Sequence, residues 1–228
     1  MYCSESRGWS ALDRGVRSEG PWAGYFERLH QADPPAVELD IRGVTITVAD
    51  PPINFCPPSF VEKQAAVNRL KWCKAAGICG IHAELLKAGG NAALVSLHAD
   101  LCSAWNTGII PTDWKRGLVV PLWKGKGDRK DCTNYRGVTL LSVPGKVFAQ
   151  IIIDRVRHHL LENQRPEQSG LTPKGSTIDR VLALRVLTER RREFRQGLLA
   201  PYVDLCKAFD AVNRDALWRI SGLRGVPQ

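Results

Sequence analysis

The chain has 228 residues, with 44% hydrophobic and 24% charged residues, and 32 Lys and Arg against 23 Asp and Glu, a net charge of +9. This is ordinary globular usage at a length of one domain or a little more (~100–200 residues each), so a disordered tail and a collagen are excluded. Its apolar runs, such as 117–123 and 151–153, fall far short of the ~18 residues needed to span a bilayer, and the positive balance points to an anionic partner, nucleic acid before membrane.

Residues 1–58 read as a connecting segment. They hold Pro21, Pro34, Pro35, Pro51, Pro52, Pro57 and Pro58, half of the chain's 14 prolines. Two small pieces are expected within them: a helical turn over 22–29 with Trp22, Tyr25, Phe26 and Leu29 on one face, and a strand over 44–48. The organised part starts at Ser59. Ser59 with Glu62 forms a capping box, and Phe60, Val67 and Leu70 then share a helical face. A glycine-broken loop follows, then a short helix over 82–88. Asn91 is placed to cap a third helix whose Leu94, Leu97, Leu101 and Trp105 line one side, with Gly108 and Pro111 as stops.

Beyond this point the period changes. Residues 117–123 and 137–141 read as strands around a polar loop with Gly125, Gly127 and Asn134. A long helix follows with Phe148, Ile152, Val156 and Leu160 at four-residue steps and Ile151 beside them. Ser176 with Asp179 resembles a second capping box and opens a helix to about Arg195. A strand over 198–205 and a helix over 213–220 complete the pattern. Strands joined by long helices predict an α+β fold.

The cysteines are Cys3, Cys56, Cys73, Cys79, Cys102, Cys132 and Cys206. They form no C-x-x-C pair, which argues against a zinc site and a disulfide framework. With no apolar signal core at the start, the expectation is a reduced, intracellular protein. The histidines lack ligand-spaced partners and read as surface or helix-face residues.

Two segments can carry chemistry. In the stretch 202–212, Asp204 follows an apolar strand, where a carboxylate can bind a hard divalent cation with the Leu205 carbonyl as a second oxygen. Asp204 and Asp210 can equally cap the turn. The second segment is the loop region with Lys115, Arg116, Lys124, Lys126, Arg129, Lys130 and Arg136, offset only by Asp113, Asp128 and Asp131. Lysines on a glycine-hinged hairpin can fold over a polyphosphate, and arginine can grip it with two bonds. A solvated charged loop is the alternative. Gly125 and Lys126 do not fit the P-loop pattern.

Taken together, five blocks resemble, in order, the reverse transcriptase of non-LTR (LINE-type) retrotransposons. Residues 74–87 resemble the K-x-P-G-x-D-G-I motif. Pro111, Trp114 and the stretch 120–128 resemble the first fingers motif. Residues 134–142 resemble the "NYRPISLLS" block, with Lys146 following. Residues 165–170 with Ser176 and Thr177 resemble the "Q-x-G-F…ST" block, and 203–213 the first catalytic palm motif.

The resemblance implies a right-hand polymerase: a connecting segment over 1–58, a helical lead-in over 59–112, fingers over 113–200 and the start of the palm over 201–228. It implies Asp204 as catalytic ligand of two Mg²⁺ ions with the Leu205 carbonyl helping. Phe209 would be the ring that screens out a ribose 2′-hydroxyl, and Lys124, Lys126 and Arg136 the groups that grip the incoming dNTP. Its partners would be an RNA template and a DNA primer, and its place the nucleus or a cytoplasmic ribonucleoprotein.

The departures are specific. The blocks stop before the family's "Q-G-x-x-x-S" block and "A-D-D" pair. Ala76 and Cys79 replace the usual Pro and Asp of the first motif, and Gly137 replaces the Pro of "NYRP". Pro201 removes a ladder donor beside Asp204. The expectation is therefore a fragment, inactive alone. The alternative is a non-catalytic, basic nucleic-acid-binding remnant of a decayed transposon copy.

Overall fold

The structure is a computed structural model that describes residues 21–30, 52–165, 167–170, 172–173, 175–205, 208–209 and 212–227. Its elements are α1 (Pro21–His30), α2 (Phe60–Arg69), α3 (Ala83–Ala88), α4 (Gly90–Thr107), α5 (Thr112–Lys115), β1 (Gly117–Trp123), β2 (Tyr135–Leu141), α6 (Val143–Glu162), α7 (Thr177–Glu193) and α8 (Arg214–Leu223). Helices with one two-stranded antiparallel sheet make an α+β composition. The strand expected at 44–48 lies outside the described residues.

Two compact units are present, one holding 54–155 together with α1, the other holding 156–227. In the first, α2 starts as predicted. The Ser59 hydroxyl accepts the Glu62 N–H at 3.2 Å, and the Glu62 carboxylate accepts the Ser59 N–H at 2.8 Å. Its Ala66 and Val67 meet Ala83 and Leu86 of α3, Leu97 and Leu101 of α4, and Val143, Val147 and Ile151 of α6 in one apolar core. Gly108, at φ 69°, closes α4 in the left-handed region, where glycine has no Cβ penalty.

β1 and β2 pair in register from Gly117–Leu141 to Trp123–Tyr135. Direct partners share a face, so Trp123, Tyr135, Gly137 and Val119 lie on one side. α1 covers that side: the Trp22 ring meets the Tyr135 ring edge-on at 4.7 Å. A Cβ on Gly137 would lie 2.9 Å from the Phe26 ring, so the glycine standing in place of the expected proline lets α1 settle on the hairpin.

Several expectations need correction. Asn91 lies inside α4, which begins at Gly90. The buried row of α6 is Val143, Val147 and Ile151; of the expected stripe, Phe148 packs partly buried against the core, while Ile152 and Leu160 are exposed. Ser176 caps α7 by accepting the Ile178 N–H, not that of residue 179. Of the two readings for the histidines, His159 takes the helix-face one: it lies on α6, buried and hydrogen-bonded to the Arg224 carbonyl. Cys56, Cys79, Cys102 and Cys132 are free thiols.

The largest correction is at 198–205, where no strand forms. A strand needs a ladder partner for its N–H and C=O groups. Among the described residues of the second unit there is no other strand, and Pro201 has no N–H to offer.

Candidate nucleic-acid interface

The hairpin loop between β1 and β2 is built by short polar contacts. Gly125 and Gly127 adopt φ values of 81° and 80°. A Cβ on Gly127 would lie 2.5 Å from the Asn134 side chain, whose amide instead donates to the Asp128 carbonyl at 2.9 Å. The Tyr135 hydroxyl donates to the Arg129 carbonyl at 3.0 Å. A short 3₁₀ turn over Cys132–Asn134 leads into β2.

The acidic residues of the loop are occupied by its backbone. Asp128 accepts the Lys130 N–H at 2.9 Å. Asp131 accepts the Thr133 N–H at 2.9 Å and the Thr133 hydroxyl at 2.7 Å. Those hydrogen bonds hold the Asp131 carboxyl below the usual carboxylate value. Among the described residues no carboxylate forms an ion pair with Lys124, Lys126, Lys130 or Arg136, all of them exposed. The Lys124 ammonium donates to the Thr133 carbonyl at 2.6 Å and so lies across the loop. The Arg129 guanidinium sits 4.7 Å over the Trp123 ring. The result is a turned loop on which Lys126, Lys130 and Arg136 face solvent, suited to a polyanion.

Lys124, Lys126 and Arg136 are thus brought together on one hairpin. Asp204, Leu205 and Phe209 belong to the second unit and lie exposed outside helices and strands. Asp210 is outside the described residues. Among the described residues no three His, Cys, Asp or Glu side chains gather as a metal site. Two Mg²⁺ ions sit ~3.5–4 Å apart and need more oxygen ligands than Asp204 and one carbonyl, so the described residues do not fit a complete metal pair. No helix among them is long and apolar enough to cross a membrane.

Sequence reading missed two supports of this region. A Cβ on Gly77 would lie 2.4 Å from the Leu141 carbonyl carbon, so the loop 71–82 presses backbone to backbone on the junction of β2 and α6. Within it, burial pushes the Cys79 thiol up, but the polar surroundings supplied by Ser142 and by the backbone of Ile81 and Val143 outweigh it, and its pKa is lowered. The second support is Arg155, nearly buried, whose Nε and Nη2 meet Glu62 at 2.7 and 2.8 Å.

No protein-family model matches the chain. Three curated proteins are similar to it. Over 163 residues it is 32% identical to a putative 115 kDa protein of the type-1 retrotransposable element R1DM of Drosophila melanogaster, covering 70% of this chain and 16% of that protein. Over 161 residues it is 29% identical to a 149 kDa protein of transposon TX1 of Xenopus laevis, covering 71% and 12%. The chain is a relative of non-LTR retrotransposon proteins. A third relative, 24% identical over 163 residues, is the probable RNA-directed DNA polymerase from transposon BS of Drosophila melanogaster, covered to 18% of its length. The chain therefore spans less than a fifth of each of these retrotransposon proteins.

Proposed function

We propose that the chain is part of an RNA-directed DNA polymerase of a non-LTR retrotransposon and supplies the phosphate-gripping hairpin of its fingers. The observation that carries this reading is the hairpin itself: glycine-hinged, with its acids tied to backbone, Lys126 and Arg136 left to solvent and Lys124 held on the Thr133 carbonyl beside them. In this reading Lys126 and Arg136 bind the triphosphate of a dNTP or the strand beside it, Arg136 with two parallel bonds. Lys124, released from the Thr133 carbonyl, joins them. Phe209 lies against the sugar. Asp204 contributes one oxygen-rich corner of a divalent-cation site, with the Leu205 carbonyl beside it, and further ligands come from elsewhere. RNA template and DNA primer are the partners, in the nucleus or a ribonucleoprotein.

The first motif and the block 134–142 act as one unit because Gly77 packs on the Leu141–Ser142 backbone. The domain reading follows: a lead-in over 59–112, fingers over 113–200 and the first palm segment from 201. The test is incorporation on a primed RNA template with dNTPs and Mg²⁺. The isolated chain should bind the template–primer and make no DNA. Incorporation that disappears in Asp204→Ala would overturn the view that the chain lacks a complete site. Failure to bind the template–primer at low salt would overturn the polymerase reading.

A further inference from the structure

A cleft of about 390 Å³ opens in the first unit between α2, the loop 71–82 and α6. That volume lies within the range of small-molecule sites, ~300–1,000 Å³. Its lining includes the apolar side chains of Leu70, Leu141, Val143 and Ile153. Its other lining residues include Arg69, Lys71, Lys74 and Lys146. Arg69 is tied to Asp154. Among the described residues Lys71, Lys74 and Lys146 have no carboxylate partner.

Three uncompensated cations in a cleft with apolar lining suit a ligand with the same division, an anionic group attached to a flat, poorly hydrated body. An inorganic anion makes no use of the apolar lining, and a purely apolar ligand leaves three lysines of the same cleft without a counter-charge. We propose that this cleft is a nucleotide site, taking one base against Leu141, Val143 and Ile153 and its phosphate among Lys71, Lys74 and Lys146. The site is distinct from the hairpin and does not depend on polymerase activity. Lysine suits the task because its ammonium acts as a point charge on a long stem and adapts to the phosphate position. The site exists because Gly77 carries no side chain. That close approach brings Lys74 to the end of β2, within the same cleft as Lys146 on the first turn of α6.

The test is titration of the whole chain with AMP, with adenosine, and with a fluorescein-labelled six-nucleotide oligoadenylate, followed by calorimetry and anisotropy. AMP should bind at least tenfold more tightly than adenosine. Ala149→Phe, at the exposed rim of the cleft, leaves the net charge unchanged and fills the space; it should weaken AMP at least tenfold. Lys74 lies on an exposed loop outside helices and strands, so Lys74→Ala gives a reading that does not depend on how the filled variant folds, and should weaken AMP at least fivefold. If Ala149→Phe also weakens the oligonucleotide, the cleft takes a nucleotide of a strand; if only AMP is affected, it takes a free nucleotide. AMP and oligonucleotide binding unchanged by both variants, or equal affinity for AMP and adenosine, would overturn the proposal.

Discussion

Replacing Arg155 by Met isolates the contact that joins the start of α2 to α6. The Arg155 side chain is only 6% exposed and meets Glu62 through two parallel bonds of 2.7 and 2.8 Å. Its Nη1 also donates to the carbonyls of Cys56 at 2.7 Å and Asn54 at 3.1 Å, and its guanidinium lies 4.9 Å from the Trp105 ring centre. Hydrogen bonds to charged groups contribute about 1.5–3 kcal/mol each. Breaking a buried pair from one side costs about 3–5 kcal/mol, because the remaining charge is stranded. The Glu62 side chain keeps 29% exposure, so water recovers part of that loss, and the expected cost of Arg155→Met is about 3 kcal/mol. Glu62→Gln retains an oxygen for the Ser59 N–H and preserves the capping box. In a double-mutant cycle the two changes should couple by about 1–2 kcal/mol.

The pair also fixes a pH dependence. The hydrogen bond from Arg155 lowers the Glu62 pKa from 4.5 to about 2. Glu62 is an acid with a depressed folded-state pKa, so its contribution is complete above 4.5 and is lost as pH falls toward about 2. Urea unfolding followed by tryptophan fluorescence, repeated from pH 6 to pH 2.5, reads both effects. The wild type should lose stability across this window more steeply than Arg155→Met. A cost below about 1 kcal/mol, or parallel pH profiles, would refute the reasoning.

Gly77→Ala should destabilise the first unit by about 1–3 kcal/mol, since its methyl would meet the Leu141–Ser142 backbone, which cannot step aside as a side chain can; a thermal midpoint equal to that of the wild type would contradict this. Cys79 should be alkylated by iodoacetamide with a pH midpoint below that of an ordinary cysteine, because the polar groups of Ser142, Ile81 and Val143 around it outweigh its burial; a midpoint at or above the ordinary value, read by peptide mass spectrometry, would count against this reading of its surroundings.

The local features were legible because they depend on near neighbours. The Ser59–Glu62 box, the closure of α4 at Gly108 and the extent of β1 follow from a few adjacent residues. The face of α6 was misjudged because the helix is 20 residues long and apolar on more than one side. Leu97 and Leu101 decide which row is buried, and they are remote in sequence. Pattern alone suggested a strand at 198–205, but pairing is a property of two segments. The basic hairpin was visible as composition. That its acids are committed to the turn, leaving the cations to solvent, required the geometry of Asp128, Asp131 and Asn134. The cleft with Lys71, Lys74 and Lys146 was invisible for the same reason as the α6 face, since Gly77 brings distant stretches together.

The central claim, that the hairpin cations contact a nucleic-acid or triphosphate polyanion, is tested most directly by the salt dependence of binding to a primed RNA template. Each phosphate contact contributes about −0.7 to −0.9 to the slope of log affinity against log salt. Lys126→Glu with Arg136→Glu should weaken binding and make the slope shallower by about 1.4–1.8, while far-UV circular dichroism stays unchanged. A slope and affinity identical to those of the wild type would show that the hairpin does not touch the phosphates, and would contradict the account.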